Sequence, residues 1–545
     1  MDLRLHDNPA LVQTVQSAKK ASGAGILPFF CFDTRIFGDE ARSSFGSLKC
    51  GPRRAKFILE SVADLRQQLE SRGSGLVVAY GKPEEVLSKA LEMAGDTVPR
   101  LTCQEEVCSE ELAVDKAVRA AIALKHPRAT LDAVWGSTLY DAEELPFNDG
   151  AYGIPNTFTP FRNKVEKQMN IGKPLPVPNK GDLKLSPHAK KLTSDDSRCS
   201  LSYMPTLQDL GYTPEQVAEA NTVDGRGVLP FKGGESVALA RCQDYIWDKD
   251  LLKVYFDTRN GMIGADYSTK FAPWLAHGCI SPRFIANECH KYEQERVANK
   301  STYWVVFELV WRDFFKFFAQ KHGDKIFFVS GTAEMHDKKW GFRQKSFDAW
   351  KEGRTGYPLV DANMRELAAT GFMSNRGRQN VCSFLALDLN LDWRYGADYF
   401  EEVLLDYDVH SNWGNWCAGA GMTGGRVNRF NIVKQSKDYD QHGEYVRHWL
   451  PELKDVPTQF VHEPWKMSQF HQMEYNCRIG VDYPNPIIPP FVPRNGGGGN
   501  GGRNNNRGGG NGGKRNGGGK NNRNRGRGQR QDMKSLKQGA IRMDS

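Results

Sequence analysis

The chain has 545 residues and a mass of 61.3 kDa, more than one hydrophobic core usually holds, which predicts two folded domains. Its mean hydropathy is −0.57 and its apolar runs stay below the roughly 18 residues that cross a bilayer, so we expect a soluble protein without a membrane partner. The net charge is +8, but 495–531 holds nine Lys or Arg and no acid, which leaves −1 for the rest. The folded part therefore has no global positive field, and any DNA site there must be a local patch.

The cysteines give no support for a metal centre or a redox cluster. All eleven lie outside any C-x-x-C pair or zinc-finger spacing. We interpret them as reduced thiols and predict no metal site.

The first 145 residues show the alternation of strands and helices that predicts a parallel, Rossmann-like sheet. The β-prone runs are 26–32, 75–80 and 131–135, and 53–73 has a helical pattern. Such a sheet normally has a strand ahead of its first helix, yet helical residues 8–21 follow almost directly on Met1. We therefore expect an incomplete N-terminus and leave the compartment open between an organelle and the nucleus or cytoplasm.

Three further regions follow the α/β domain, which we place at 1–145. Residues 146–230 are rich in Pro, Gly, Asn and Ser and predict a long surface connector. Residues 231–493 predict an all-α domain, since the pattern is helical and eleven of the twelve tryptophans lie at or after Trp247. Residues 494–545 are rich in Gly, Asn and Arg and predict a disordered tail.

A helix over 304–315 is the first candidate site. Trp304, Glu308, Trp311, Arg312 and Phe315 share one face, and the opposite face is apolar too, which predicts a buried helix. Glu308 and Arg312 form either a core salt bridge or a pair facing a polar ligand. On pattern alone, the salt bridge is favoured.

Three other segments allow both a functional and a structural interpretation. Asp406 and Asp408 fit a metal site, but helix capping is favoured because no third hard ligand follows. The basic stretch 371–380 is either the start of a helix beside a phosphate or a surface turn. The hydroxyls of 267–278 and Tyr255 either cap a helix or bind phosphate.

Taken in this order, the segments resemble the photolyase/cryptochrome family, and cryptochrome-DASH most closely. The resemblance runs from Asp2 to about Tyr439, and its most specific pieces are 261–271, 307–315, 351–362 and 411–416. It implies an α/β antenna-binding domain followed by a helical FAD-binding domain.

The resemblance implies a flavin site position by position. The residues matching those at the FAD phosphates are Tyr255, Ser268, Thr269, Lys270 and Phe271. The residues matching those that line flavin and adenine are Glu308, Arg312, Asn375, Arg378, Asp406 and Asp408. Asn412 matches the position facing flavin N5, where an amide cannot readily supply a proton, which favours repair over signalling.

The electron-transfer and substrate residues are also implied by matched position. Trp416, Trp393 and Trp340 match the photolyase tryptophan chain, although such residues are usually only core. The residues implied to face DNA are Trp311, Arg376, Gln379 and Ala418. Ala418 departs from the aromatic residue of relatives, which weakens stacking on a flipped base.

The implied function is blue-light repair of cyclobutane pyrimidine dimers in single-stranded DNA, driven by an electron from excited reduced FAD. A photoreceptor without repair and an RNA-binding regulator acting through RGG-like segments at 507–528 are the alternatives. No histidine occupies 374–379, where a (6-4) photolyase needs a pair.

A folate antenna, 5,10-methenyltetrahydrofolate, is implied near Glu106. A solvated acidic helix start is an equal alternative for that residue. A monomer is the expected state.

Overall fold

Residues 2–21, 24–93, 98–187, 189 and 198–490 are described by a computed structural model. The tail, predicted to be disordered and to bind RNA, lies outside the described residues. Ten of the eleven cysteines, all except Cys199, are free thiols. Within the described ranges, no helix is long and apolar enough to cross a membrane.

The α/β part confirms the predicted parallel pairing, in two separate sheets. Its strands are β1 (Phe29–Asp33), β2 (Val77–Gly81), β3 (Arg100–Gln104), β4 (Thr130–Val134) and β5 (Cys199–Ser200). β1 pairs with β2 in parallel and β3 pairs with β4 in parallel, while β5 is antiparallel to β2. The sequence analysis missed β3, whose polar alternation carries little β signal.

Four helices cover these strands and match the predicted alternation. They are α1 (Pro9–Lys20), α2 (Pro52–Ser71), α3 (Pro83–Met93) and α4 (Ser109–Lys125). The first three begin at proline, whose fixed φ and missing N–H suit the first helical turn. The helix predicted over 53–73 is α2.

The segment predicted as a connector contributes to the hydrophobic core. It contains α5 (Phe158–Gln168) and α6 (Pro214–Asn221). Phe158, Phe161 and Val165 of α5 are buried. Apolar residues at this helical spacing hold the segment against the helical part.

The helical part follows, as predicted, and shares one continuous hydrophobic core with the α/β part. Its first seven helices are α7 (Glu235–Gln243), α8 (Tyr255–Thr258), α9 (Ala272–Ala276), α10 (Pro282–Glu295), α11 (Lys300–His322), α12 (Gln344–Lys351) and α13 (Pro358–Thr370). The remainder are α14 (Asn375–Ser383), α15 (Trp393–Val403), α16 (Val409–Gly419), α17 (Ile432–Tyr439), α18 (Glu444–Trp449), α19 (Thr458–Val461) and α20 (Gln469–Glu474).

Helix α11 runs through the centre of this part and confirms the buried helix predicted over 304–315. Asn299 and Thr302 close its first turn in a capping box, each side chain accepting from the other's backbone. Gly323 ends it at φ 53°, a conformation that glycine adopts without strain. The helix therefore carries its polar residues at fixed positions inside the core.

Candidate active site

The predicted salt bridge between Glu308 and Arg312 is wrong. Glu308 accepts hydrogen bonds from Arg259 and from the indole Nε1 of Trp304, the latter at 3.1 Å. Arg312 instead donates to the Ser137 carbonyl and, at 3.4 Å, to Asp408. Although Glu308 and Arg312 are one turn apart, each finds its partner on another segment, which sequence spacing does not reveal.

Burial raises the pKa of Glu308, and the Arg259 guanidinium opposes that shift. The carboxylate nevertheless lies beside a cation on one side and an indole N–H on the other. It is a polar group held in a mostly apolar surrounding, ready to accept from a ligand.

Asp408 begins α16, so the capping interpretation is confirmed. Its Oδ1 accepts from the backbone N–H of Ser411 at 3.0 Å and lies 2.6 Å from His410 Nδ1. Burial by itself would raise the pKa of Asp408, but His410, Arg312 and the Ser411 N–H together lower it well below its usual range. The carboxylate is therefore ionised and largely enclosed by these partners, with its side chain 10% exposed.

Asp406 and Arg378 form an ion pair in which both carboxylate oxygens accept a hydrogen bond. The Arg378 Nη2 donates to both carboxylate oxygens, at 2.8 and 3.0 Å, and its Nε donates to the Met373 carbonyl at 2.9 Å. Arg378 lies on α14, which begins at Asn375 after Ser374 caps the Gly377 N–H. The helix start predicted in 371–380 is confirmed, with Asn375 exposed at its first position.

The hydroxyl-rich segment ahead of α9 does not cap it, so that interpretation is wrong. The N-cap position is Phe271, which makes no side-chain hydrogen bond. Lys270 is 3% exposed and adopts φ 61°, and its Nζ donates to Ser268 at 3.0 Å and lies over the Tyr267 ring. Burial lowers the pKa of Lys270 well below its usual range. A bound anion would restore the charge that burial disfavours.

Several buried polar atoms around these residues have no protein partner, which fits a polar ligand. They are Tyr267 Oη, Glu366 Oε1, Asn380 Oδ1, Arg376 Nε and Arg259 Nε. Buried polar groups are rarely left unpaired. A dinucleotide with phosphates, hydroxyls and ring nitrogens supplies partners of both kinds. The residues present therefore fit FAD.

Asn412 lies on α16 and is 8% exposed. Its Nδ2 donates to the Ala397 carbonyl at 2.9 Å. One N–H of the amide is used in this way, so the second N–H and the carboxamide oxygen are left to meet a ligand.

The three tryptophans of the implied electron chain have other aromatic residues as ring neighbours. Trp416 contacts Trp350 at a centroid distance of 6.1 Å, and Trp393 contacts Trp413 at 6.0 Å. Both Trp416 and Trp393 are buried, whereas Trp340 is half-buried, with Lys338 over its ring. Trp340, the last residue in the implied order, is therefore the most exposed of the three.

The Trp416 ring packs against the backbone of α15 at Gly396. A Cβ on Gly396 would collide with the Trp416 ring, so only glycine allows this approach. Gly396 lies one turn after Trp393 on α15. The Trp416 ring of α16 therefore packs on the same face of α15 that carries Trp393.

The implied substrate residues lie on three helices: Trp311 on α11, Arg376 and Gln379 on α14, and Ala418 on α16. Phe158 stacks on Trp311 at a centroid distance of 3.6 Å and 9°. Arg376 donates to Gln379 at 2.9 Å and lies over the Tyr439 ring. Gln379 is exposed and Ala418 half-buried. Phe158 therefore covers one face of Trp311, and Phe315 is a second stacked neighbour at a centroid distance of 5.8 Å.

Glu106 does not belong to a helix start, so the acidic-start interpretation is wrong. It lies three residues ahead of α4, whose first-turn acids are Glu110 and Glu111. Lys316 of α11 lies 3.3 Å from its carboxylate. Burial opposes ionisation, but Lys316 and neighbouring positive charges lower the pKa of Glu106 to about 2.

A cavity of about 450 Å³ opens close to this pair. Its lining includes Glu105, Trp135 and Gln320. Trp135 stacks on Phe317 at 5.5 Å and 10°, which holds the indole flat.

The sequence analysis missed Arg259, His410, Lys316 and Phe158. Three of them have partners far along the chain: Arg259 and Glu308 are 49 residues apart, and Lys316 and Glu106 are 210 apart. His410 lies only two residues from Asp408, so its pairing could have been found from the sequence. Within the described ranges, no group of three or more His, Cys, Asp or Glu could hold a metal ion.

Two family models match the chain. One, described as DNA photolyase, covers residues 1–179, and the other, described as FAD binding domain of DNA photolyase, covers residues 304–491. The fold and the site thus define a flavoprotein of the photolyase class.

Individual relatives show which family within this class the chain resembles. The chain is 49% identical to a chloroplastic/mitochondrial cryptochrome DASH of Ostreococcus tauri over 90% of this chain and 89% of that protein. It is 48% identical to a cryptochrome DASH of Gloeobacter violaceus, over 89% and 91%. The crystal structure of a Synechocystis cryptochrome matches with a TM-score of 0.79 at 44% identity, over 90% of this chain and 95% of that one. The chain belongs to the cryptochrome-DASH family.

Proposed function

We propose that the protein uses blue light and bound reduced FAD to repair cyclobutane pyrimidine dimers in single-stranded DNA. When bound, reduced FAD supplies the excited electron that opens the dimer and receives it back. The observation that carries the proposal is that Phe158 stacks on one face of the Trp311 indole. The protein's part is to bind the cofactor and to hold the dimer against it.

Trp311 serves as the wall on which the dimer stacks. Phe158 lies flat on one face at a centroid distance of 3.6 Å, which holds the half-buried indole in place, and a base would meet the part of the ring that these neighbours leave exposed. Stacking of one base on an aromatic ring contributes about 1 to 3 kcal/mol. Arg376 and the exposed Gln379 on α14 offer a cation to a backbone phosphate and an amide to base edges.

Asn412 supports repair because its amide is not an acid. One N–H of the amide bonds to the Ala397 carbonyl, and the remaining N–H and the oxygen would face the reduced cofactor. A carboxamide at this position does not readily give a proton to the flavin. The site therefore favours the reduced form that repair needs.

Selectivity for single strands follows from Ala418. Extruding a base from duplex costs a few kcal/mol, and single strands avoid most of that cost. A methyl group at position 418 provides no second ring to offset it. The protein then repairs dimers only where they are already unpaired.

We also propose that a folate antenna binds between the α/β part and α11. The ion pair of Glu106 and Lys316 and the flat Trp135 beside the 450 Å³ cavity support this position. A pterin ring has both an aromatic face and polar edges, which suits such a wall.

The test is light-dependent repair of a thymine dimer in a single-stranded oligonucleotide by the FAD-loaded protein and two variants. Trp311→Ala is expected to lose repair while retaining FAD. Trp465→Ala, which removes another half-buried tryptophan that contacts Tyr357 at 5.3 Å, is the control and is expected to repair normally. Absence of repair by the unaltered protein with bound, photoreducible FAD would leave the photoreceptor function, which Ala418 favours.

A further inference from the structure

Residues 338–345 form a basic and aromatic surface segment around Trp340, the last residue of the implied electron chain. The segment holds four cations and no acid, and the nearest acids along the chain are Asp337 and Asp348. Because 495–531 holds nine of the cations, the rest of the chain has a net charge of −1. The four cations are therefore a local patch and not part of a general positive field. We call 338–345 the basic segment.

The cations of the basic segment are turned to solvent and have no acidic partner. Lys339, Arg343 and Lys345 are exposed. Lys338 lies with its Nζ 4.6 Å from the centroid of the Trp340 ring. Within the described residues, none of the four cations forms an ion pair. An acidic surface from outside would therefore supply charges that the fold itself does not.

Large apolar side chains are exposed in and beside the basic segment. Four of them are 39 to 51% exposed: Phe328, Val329, Met335 and Phe342. The Lys338 N–H donates to the Met335 carbonyl at 3.3 Å, and the Met335 N–H donates to the Ser330 carbonyl at 2.9 Å, which keeps these residues close together. Exposed apolar and aromatic residues with charged residues around them are typical of a surface that meets another protein.

The same surface is attached to the middle of the implied electron chain. Trp393 Nε1 donates to the Val329 carbonyl at 3.4 Å. On the other side of Trp340, the Gly341 N–H donates to the Asn390 carbonyl at 2.9 Å. The segments before and after Trp340 are therefore held against residues at or near Trp393.

We propose that the basic segment and the apolar residues beside it are the docking surface for a small acidic protein that carries one electron. Trp340 gives one electron inward to FAD in the light and becomes a cation radical. The reduced carrier then gives one electron to this radical, so that neutral tryptophan is restored and the carrier is oxidised by one electron. This inference rests on the proposed function, because it names the partner that supplies electrons to the same flavin.

A protein fits this surface better than a nucleic acid does. The exposed Val329 and Met335 offer nothing to a phosphate chain, whose binding depends on cations and on rings that stack. Complexes of electron carriers are weak and bury less than about 1,200 Å². A compact patch of a few apolar residues with cations around it suits such a short-lived complex.

The test follows the recovery of the tryptophan radical by absorbance after a laser flash on the full FAD-loaded chain, without DNA. The donors are reduced plastocyanin, a small acidic carrier, and ferrocytochrome c, a basic one. Lys339→Glu/Lys345→Glu reverses two exposed cations of the basic segment. Lys89→Glu/Lys116→Glu makes the same change of charge at exposed positions of α3 and α4 and is the matched control.

We expect reduced plastocyanin to speed recovery more than ferrocytochrome c does. Lys339→Glu/Lys345→Glu is expected to slow the plastocyanin reaction about tenfold at low salt, and the control pair to leave it unchanged. The difference is expected to shrink as salt screens the charges. Trp340→Phe is expected to remove the plastocyanin-dependent recovery while plastocyanin still binds in the dark.

Equal recovery in the two double variants, or faster recovery with ferrocytochrome c, would overturn the proposal. A loss of affinity for a single-stranded oligonucleotide in Lys339→Glu/Lys345→Glu, with an unchanged plastocyanin reaction, would assign the patch to nucleic acid and overturn it as well. The same holds if the flash produces no tryptophan radical, because Trp340 is then not where electrons enter. Since the assay contains no DNA, a failure of repair leaves these results unchanged.

Discussion

At the residue scale, pairs that join distant segments shape the site. Arg378 and Asp406 illustrate this, because one guanidinium nitrogen contacts both carboxylate oxygens while Nε holds the Met373 carbonyl. Arginine does this with a planar fork that lysine lacks. The pair therefore fixes the end of the α15–α16 loop against α14.

Replacing Arg378 with lysine tests this pair. Arg378→Lys is expected to weaken FAD binding about tenfold, roughly 1.4 kcal/mol, because the fork geometry is lost while the charge remains. The measurement is FAD affinity by fluorescence titration of the apoprotein. Arg394→Lys is the matched control, since Arg394 forms a similar fork with Asp392 at the start of α15. Equal losses in both variants would contradict a special role for Arg378.

Position 418 tests the stacking argument. Ala418→Tyr adds a ring opposite Trp311, and stacking of about 1 to 3 kcal/mol predicts at least a fivefold lower Kd for a single-stranded dimer. Ala418→Ser, which adds no ring, is expected to bind like the unaltered protein. Binding is measured in the dark by anisotropy. Unchanged affinity in the tyrosine variant would show that position 418 does not face the substrate.

At the element scale, patterns within one segment predicted where helices begin and which are buried, but they did not predict which side chains pair across segments. The burial of α11 and the start of α14 at Asn375 follow from spacing and capping within one segment, so the sequence was enough for both. The pairing of Glu308 with Arg259, and the stacking of Phe158 on Trp311, depend on how segments 49 and 153 positions apart come together. Side-chain periodicity holds no such information, and the contact of α5 with α11 was missed for that reason.

The packing of α15 against α16 sets the implied electron chain. Trp393→Phe is expected to slow photoreduction of bound FAD to the level of Trp416→Phe, because removing the middle ring interrupts the chain. Trp413→Phe is the control: Trp413 also lies on α16, is buried and contacts Trp393. Photoreduction is followed by flavin absorbance under blue light. Fast photoreduction in Trp393→Phe would indicate a route through Trp350 instead.

At the scale of the whole molecule, the α/β and helical parts are joined by buried polar contacts. His277 Nε2 lies 2.8 Å from the Leu405 carbonyl, and the His277 carbonyl accepts from Leu3. Burial lowers the pKa of His277 from 6.5 to about 3. The two-domain prediction described the sequence regions, but contacts of this kind between them could not be read from either region alone.

This histidine makes stability depend on pH. Below pH 6.5 the unfolded chain binds a proton that the folded chain refuses until about pH 3. The free energy of unfolding therefore falls with acidification over that window, by up to about 1.4 kcal/mol per pH unit. His277→Gln, which can still donate to the Leu405 carbonyl, is expected to show a shallower fall in urea unfolding between pH 6.5 and 4. Parallel curves for the two proteins would contradict a buried neutral histidine.

The most direct test of the whole account is the ratio of repair rates for one thymine dimer in matched single-stranded and duplex oligonucleotides. The full-length protein with reduced FAD is assayed under blue light and in darkness. The account predicts light-dependent repair of the single strand and little or none of the duplex. Equal repair of the single-stranded and duplex substrates, or no repair of either despite photoreducible FAD, would contradict it.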